Sequence, residues 1–138
     1  MLMPNFTYLK AKSLKEAIDQ LSSKGARIHA GGTDLLGCLR DDIFGAEKLV
    51  SIGQLKALHG ISQVSDGGLR IGALTTIAEI GNNKTIQGRY SALAQAASEV
   101  GSPQLRNQGT IGGNLCQKPR CWYYRGEFRC LRKGGNTC

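Results

Sequence analysis

The segment Ala30-Gly31-Gly32-Thr33-Asp34-Leu35 constrains this chain more than any other. It stands where a strand pattern, Ala26-Arg27-Ile28-His29-Ala30, gives way to a short helix pattern over Leu35 to Leu39. Paired glycines at a strand-to-helix junction permit positive φ and a close backbone approach. The flanking pattern is consistent with a parallel sheet. Asn5 to Leu9 reads as a strand, and Ser13-Leu14-Lys15-Glu16 as a capping box opening a helix with Leu14, Ala17, Ile18 and Leu21 at helical spacing. Gly25 suits the residue after that helix, and Lys48 to Ile52 supplies a third strand. A β-α-β-α-β order of this kind predicts a small sheet with mainly parallel connections.

A second unit begins near Leu58. Gly60 to Val64 and Leu69 to Gly72 flank Ser65-Asp66-Gly67-Gly68, a strong hairpin signal. Thr76-Ile77-Ala78-Glu79 is another capping box. Tyr90 to Val100 reads as a helix with Leu93, Ala96, Ala97 and Val100 on one face, stopped at Gly101-Ser102-Pro103. From Gln104 to Asn114 the chain is polar and glycine-rich and reads as loop. The expected divisions are 1–57, a first α/β subdomain with the glycine turn; 58–117, the start of a second α+β subdomain; and 118–138, a basic cysteine-rich loop.

The glycine segments point to phosphate chemistry. In the first, Gly31 and Gly32 precede a helix start, whose N–H groups and dipole favour an anion, and Thr33 can cap the helix or bond a phosphate oxygen. A plain tight turn capped by Thr33 or Asp34 is the competing reading. In the second, Gly109, Thr110, Ile111, Gly112, Gly113 and Asn114 form a loop suited to a backbone nest. Its competing reading is a surface turn. Two such segments suit a ligand with two phosphates, or with a phosphate and a ring. Neither ends in Gly-Lys-Ser/Thr and neither fits Gly-x-Gly-x-x-Gly, which disfavours a P-loop triphosphatase and an ordinary Rossmann dehydrogenase.

Charge and cysteine placement set the tail apart. Residues 1–117 carry twelve basic and nine acidic groups, whereas residues 118–138 carry six basic and one acidic. Cys38 stands alone, while Cys116, Cys121, Cys130 and Cys138 fall close together. Their spacing lacks the paired Cys-x-x-Cys of a zinc ribbon, but an iron–sulfur site tolerates it. Lys118, Arg120, Arg125, Arg129, Arg132 and Lys133 would offset the charge of a thiolate-ligated cluster. Unliganded thiols in a tail are the alternative, as is a nucleic-acid module in which Trp122, Tyr123 and Tyr124 stack bases. No secretory signal or apolar membrane-length run is visible, so a cytoplasmic, reducing setting is expected, or a periplasmic one if a partner carries the export signal. The stop at Cys138, inside the cysteine cluster, sets the expectation that the natural domain continues.

Taken in order, Ala30 to Leu35, Ile71-Gly72-Ala73-Leu74-Thr75-Thr76, Gly101-Ser102-Pro103-Gln104-Leu105-Arg106-Asn107 and Gly109 to Leu115 resemble the FAD-binding medium subunit of molybdenum hydroxylases, the xanthine dehydrogenase and aldehyde oxidoreductase family. The resemblance implies a truncated form of the family's two-subdomain α+β flavin-binding fold. It implies FAD held by Ala30, Gly31, Gly32, Thr33, Asp34, Leu35, Ala73, Thr75, Gly101, Gly109, Thr110, Ile111, Gly112, Gly113 and Asn114. It implies an electron-transfer subunit, inactive alone, with a molybdopterin-binding large subunit and a [2Fe–2S] small subunit as partners, and neither nucleic acid nor membrane. Pro119 to Arg125 and Cys130 to Cys138 further resemble the branch with an extra [4Fe–4S] cluster, with Cys116, Cys121, Cys130 and Cys138 as the implied ligands.

Overall fold

The computed structural model describes residues 3–138. Strands β1 (Thr7–Lys10), β2 (Ala26–His29) and β3 (Lys48–Ser51) form an all-parallel sheet in the order β1-β3-β2. The central strand is the most buried, with Leu49, Val50 and Ser51 all buried. Helix α1 (Leu14–Leu21) links β1 to β2, and α2 (Leu35–Arg40) links β2 to β3. Ser13 caps α1 by accepting the Glu16 N–H at 3.1 Å, but the Glu16 carboxylate reaches back to the Lys12 N–H rather than to that of Ser13. Of the apolar positions on α1, Ala17 is buried, whereas Leu14 and Ile18 lie exposed.

The sheet packs on one core of Ala11, Ala17, Val50, Ile52, Leu55 and Leu74. Past it, β4 (Ile61–Gln63) and β5 (Leu69–Ile71) form the expected antiparallel hairpin, closed by the Val64 N–H donating to the Gly68 carbonyl at 3.0 Å. Helices α3 (Ile77–Asn82), α4 (Lys84–Arg89) and α5 (Ser91–Ser98) enclose a second core around Ile77, Ile80, Ile86, Ala94 and Ala97. The complete capping box at α3 follows from Thr76 and Glu79 bonding in both directions, at 2.7 and 3.2 Å. On α5 the buried face is Ala94 and Ala97, flanked by half-buried Leu93 and Val100, and Ala96 points to solvent.

The largest departure from the sequence reading lies between 103 and 116. This stretch is two helices, α6 (Pro103–Gln108) and α7 (Ile111–Cys116), joined by Gly109 and Thr110. Pro103 sits in the first turn of α6, where its missing N–H costs nothing, and Ser102 caps that helix. Thr110 caps α7 by accepting the Gly113 N–H at 3.2 Å. Glycines 112 and 113 are thus helical. The tail adds one turn, α8 (Trp122–Arg125), and a short 3-10 turn over Leu131–Lys133.

Candidate functional site: a cleft between two glycine segments

At the carboxyl end of β2 the chain leaves the sheet through Ala30, Gly31 and Gly32. Gly32 has φ of +73°, and a Cβ there would lie 2.8 Å from the His29 Nε2. A Cβ on Gly31 would overlap the Gln108 carbonyl oxygen. The glycine pair therefore serves two ends: Gly32 turns the chain, and Gly31 lets the α6–α7 joint pack against the turn. The N–H groups of Gly31, Gly32, Thr33, Asp34 and Leu35 find no acceptor among the described residues.

The second glycine segment is built differently. The Ile111 N–H donates to the Thr75 carbonyl and the Gly112 N–H to the Ala73 carbonyl, both at 2.9 Å. The Gly113 and Asn114 N–H groups are taken by the Thr110 hydroxyl and carbonyl. The expected backbone nest over 109–114 is therefore corrected. Its amides tie α7 to the 73–75 segment, and a Cβ on Gly112 would lie 2.8 Å from the Ala73 carbonyl oxygen.

Between the two segments runs a cleft of about 750 Å³, within the range of small-molecule sites. Of the residues expected to hold cofactor, Ala30, Gly31, Gly32, Thr33, Asp34, Leu35, Ala73, Gly101, Gly109, Thr110, Gly112, Gly113 and Asn114 line it. Thr75 and Ile111 stand behind the wall. The Thr75 hydroxyl donates to the Gly60 carbonyl at 3.0 Å, and Ile111 packs on the second core. Ile28, Phe44, Val100 and Leu105 give the cleft an apolar stretch.

Asp34 is not a cap: its side chain makes no capping hydrogen bond to α2. It is the acceptor of an arginine pair from the tail. Arg125 grips it through two nitrogens, Nη1 to Oδ1 at 2.9 Å and Nη2 to Oδ2 at 3.1 Å, and Arg120 Nη2 reaches Oδ1 at 3.2 Å. Burial pushes the Asp34 carboxyl up, but the hydrogen bonds and charges of Arg125 and Arg120 outweigh it and hold the carboxyl below the usual aspartate range. Burial raises the neighbouring Cys38 thiol, and the Asp34 charge adds to that, so Cys38 stays protonated. Sequence reasoning assigned these arginines to a cluster's charge. A contact between residues some ninety positions apart left no local signal.

The cysteines expected to bind metal are not gathered. Cys116 ends α7 and lines the cleft, Cys121 precedes α8, and Cys130 is buried beside a bridge to Thr137. Cys138 is exposed. Among the described residues no three Cys, His, Asp or Glu side chains converge to hold a metal ion. The donor set therefore does not fit a [4Fe–4S] cluster as the tail is folded: fewer than three of the four thiols come together at any one point among the described residues.

A three-stranded parallel sheet, a helical second unit and the cleft lined by both define an α+β fold. The family model described as FAD binding domain in molybdopterin dehydrogenase matches residues 4–121. The chain belongs to this family, the FAD-binding medium subunits of the molybdenum hydroxylases. It is 41% identical over 116 residues to the nicotinate dehydrogenase FAD-subunit of Eubacterium barkeri, covering 82% of this chain and 39% of the relative. It is 36% identical over 123 residues to the aldehyde oxidoreductase FAD-binding subunit PaoB of Escherichia coli K12, covering 88% and 38%. Among solved structures, a carbon monoxide dehydrogenase from Hydrogenophaga pseudoflava superposes with a TM-score of 0.78 at 34% identity, covering 83% of this chain and 40% of that one. The chain thus spans about two fifths of the length of these relatives.

Proposed function

We propose that the cleft binds FAD and that the chain is the cofactor-gripping part of an electron-transfer subunit in a molybdopterin-dependent dehydrogenase. One observation carries the reading: five consecutive unpaired amides, from Gly31 to Leu35, open onto a cleft whose other wall is the 109–114 segment. Unsatisfied N–H groups suit a diphosphate, and the apolar stretch at Ile28, Phe44, Val100 and Leu105 suits a flat ring. The residues present therefore fit the group the family implies.

When bound, the flavin supplies the redox chemistry, accepting and releasing electrons one or two at a time. The protein's own share is binding and placement. Gly32 turns the chain at the start of the amide run, and Gly31 lets the α6–α7 joint close against that turn. Gly112 lets α7 pack directly on Ala73, and Asn114 offers a carboxamide on the facing wall. The Thr75 and Ala73 carbonyls anchor the start of α7 and so set the position of this wall. A molybdopterin-binding large subunit and a [2Fe–2S] small subunit are the partners of this reading; the relatives' names, FAD subunits and medium chains, support it to the extent of one subunit among several. No step passes through a cluster on this chain. The nucleic-acid reading loses two of its cations, since Arg120 and Arg125 are engaged with Asp34.

Titration of the chain with FAD, followed by flavin fluorescence, tests the reading. Saturable binding with one FAD per chain is expected, weakened at least about tenfold by Gly32→Val, which puts a branched side chain at the amide turn. No binding at micromolar FAD would overturn it.

A further inference from the structure

We infer that the tail is part of the dinucleotide site: Lys118 and Arg120 are charge partners for the ligand's diphosphate, held in place by an Asp34–Arg125 latch. The inference rests on the FAD reading and adds residues to it that lie outside both glycine segments.

Lys118 and Arg120 line the same cleft as Gly31 to Leu35. Their position is fixed by Arg125, which is only 25% exposed. Besides gripping Asp34, its Nε donates to the Pro119 carbonyl at 3.0 Å and its Nη2 to the Lys118 carbonyl at 3.1 Å. One guanidinium thus bonds the backbone on both residues of the 118–119 step and anchors it to Asp34, the residue before α2. Arg125 is a positioning residue. Its own charge is largely spent on Asp34.

Electrostatics gives the arrangement a purpose. Asp34 places a negative charge beside the amides that a diphosphate would approach. Left alone, it would repel that ligand. The two arginines cancel it and leave one positive charge, and Lys118 adds a second, against roughly two negative charges on a dinucleotide's diphosphate at neutral pH. Arg120 is 61% exposed and makes a single contact to Asp34, so it is free to share its remaining N–H groups with an arriving phosphate. Lys118 makes no side-chain hydrogen bond or ion pair among the described residues. The tail's basic character is in this part the counter-charge of the cofactor.

The test is calorimetric titration of the full 138-residue chain with FAD, ADP and riboflavin at low and high salt. ADP carries the diphosphate without a flavin, and riboflavin the flavin without phosphate. Lys118→Gln and Arg120→Gln are each expected to weaken FAD and ADP about tenfold, to flatten the salt dependence, and to leave riboflavin unchanged. Arg125→Gln should do the same, with partial recovery in Arg125→Lys. Lys84→Gln, which removes an exposed charge on α4, should change nothing. If K118Q and R120Q bind ADP as the wild type does, the inference falls and the FAD reading stands. An equal loss of riboflavin overturns it too, because the effect is then collapse of the cleft. Wild-type ADP binding that ignores salt overturns it without any variant. Failure of the wild type to bind FAD or ADP overturns the FAD reading itself, and the inference with it.

Discussion

Gly31 and Gly32 look interchangeable in sequence and are not. Gly32 is held at φ of +73°, a region that costs other residues about 1–2 kcal/mol, with His29 below it. Gly31 is limited by space alone, because the Gln108 carbonyl occupies the place of a Cβ. Gly32→Ala is therefore expected to lose about 1–2 kcal/mol in urea unfolding, by the strain of that region. Gly31→Ala should reach the upper end of the roughly 1–3 kcal/mol typical of overpacking, because backbone must move. Two titrating side chains flank this turn. The His29 Nδ1 is buried with no partner, and burial lowers the ring's pKa. A histidine kept neutral in the fold contributes stability that is full above its unfolded value, about 6.5, and declines as pH falls below it. The depressed Asp34 contributes in the same direction in a lower window, with stability lost as pH falls below about 3.9. Stability measured against pH should show both limbs. His29→Gln should remove the upper one, and Asp34→Asn should reduce the lower one, which the depressed Glu79 shares; an unchanged curve in either variant refutes that assignment.

At the scale of elements, caps were the most readable feature. Ser13 and Thr76 cap helices through their side chains as read, whereas Ser102, read as part of a stop, caps α6. Thr76→Ala removes an acceptor for the Glu79 N–H and should cost about 1 kcal/mol in thermal or urea unfolding. Helices α6 and α7 escaped the reading because each is only six residues long and α7 contains two glycines. Their stability comes from outside: α7 is anchored by the Thr75 and Ala73 carbonyls, and glycine's poor helix propensity is outweighed by the close packing its missing side chain allows. In the tail, Cys121 precedes α8 and Cys130 starts the 3-10 turn and bridges Thr137, next to Cys138, and no three metal-binding side chains converge among the described residues. Incubation of the chain with ferrous iron and sulfide is therefore expected to leave well under one cluster per chain, by iron and labile-sulfide assay. A stoichiometric four-iron product would show that cluster assembly refolds this segment.

The whole molecule is two cores with a cleft along their seam, and Leu74 is its main rivet. Its side chain fills the first core, while its neighbours Ala73 and Thr75 hold α7 beside the second. Its N–H donates to the Leu58 carbonyl at 2.8 Å. Leu74→Ala should cost about 2–5 kcal/mol, the range for emptying a packed leucine site, and should lower FAD affinity although Leu74 does not line the cleft. A variant that loses stability but binds FAD as before would separate the cores from the site. Local signals in the sequence settled the strand and helix order of the first unit, the hairpin, the caps and the place of the first glycine turn, because each depends on φ/ψ preferences and on hydrogen bonds within a few residues. Tertiary structure alone decided that the second glycine segment spends its amides inside the protein, that Gly31 makes room for backbone rather than ligand, and that Asp34 takes its partners from the tail. Those outcomes depend on which distant groups arrive at a given point, and a chain's local pattern carries no record of a contact between residues 34 and 125.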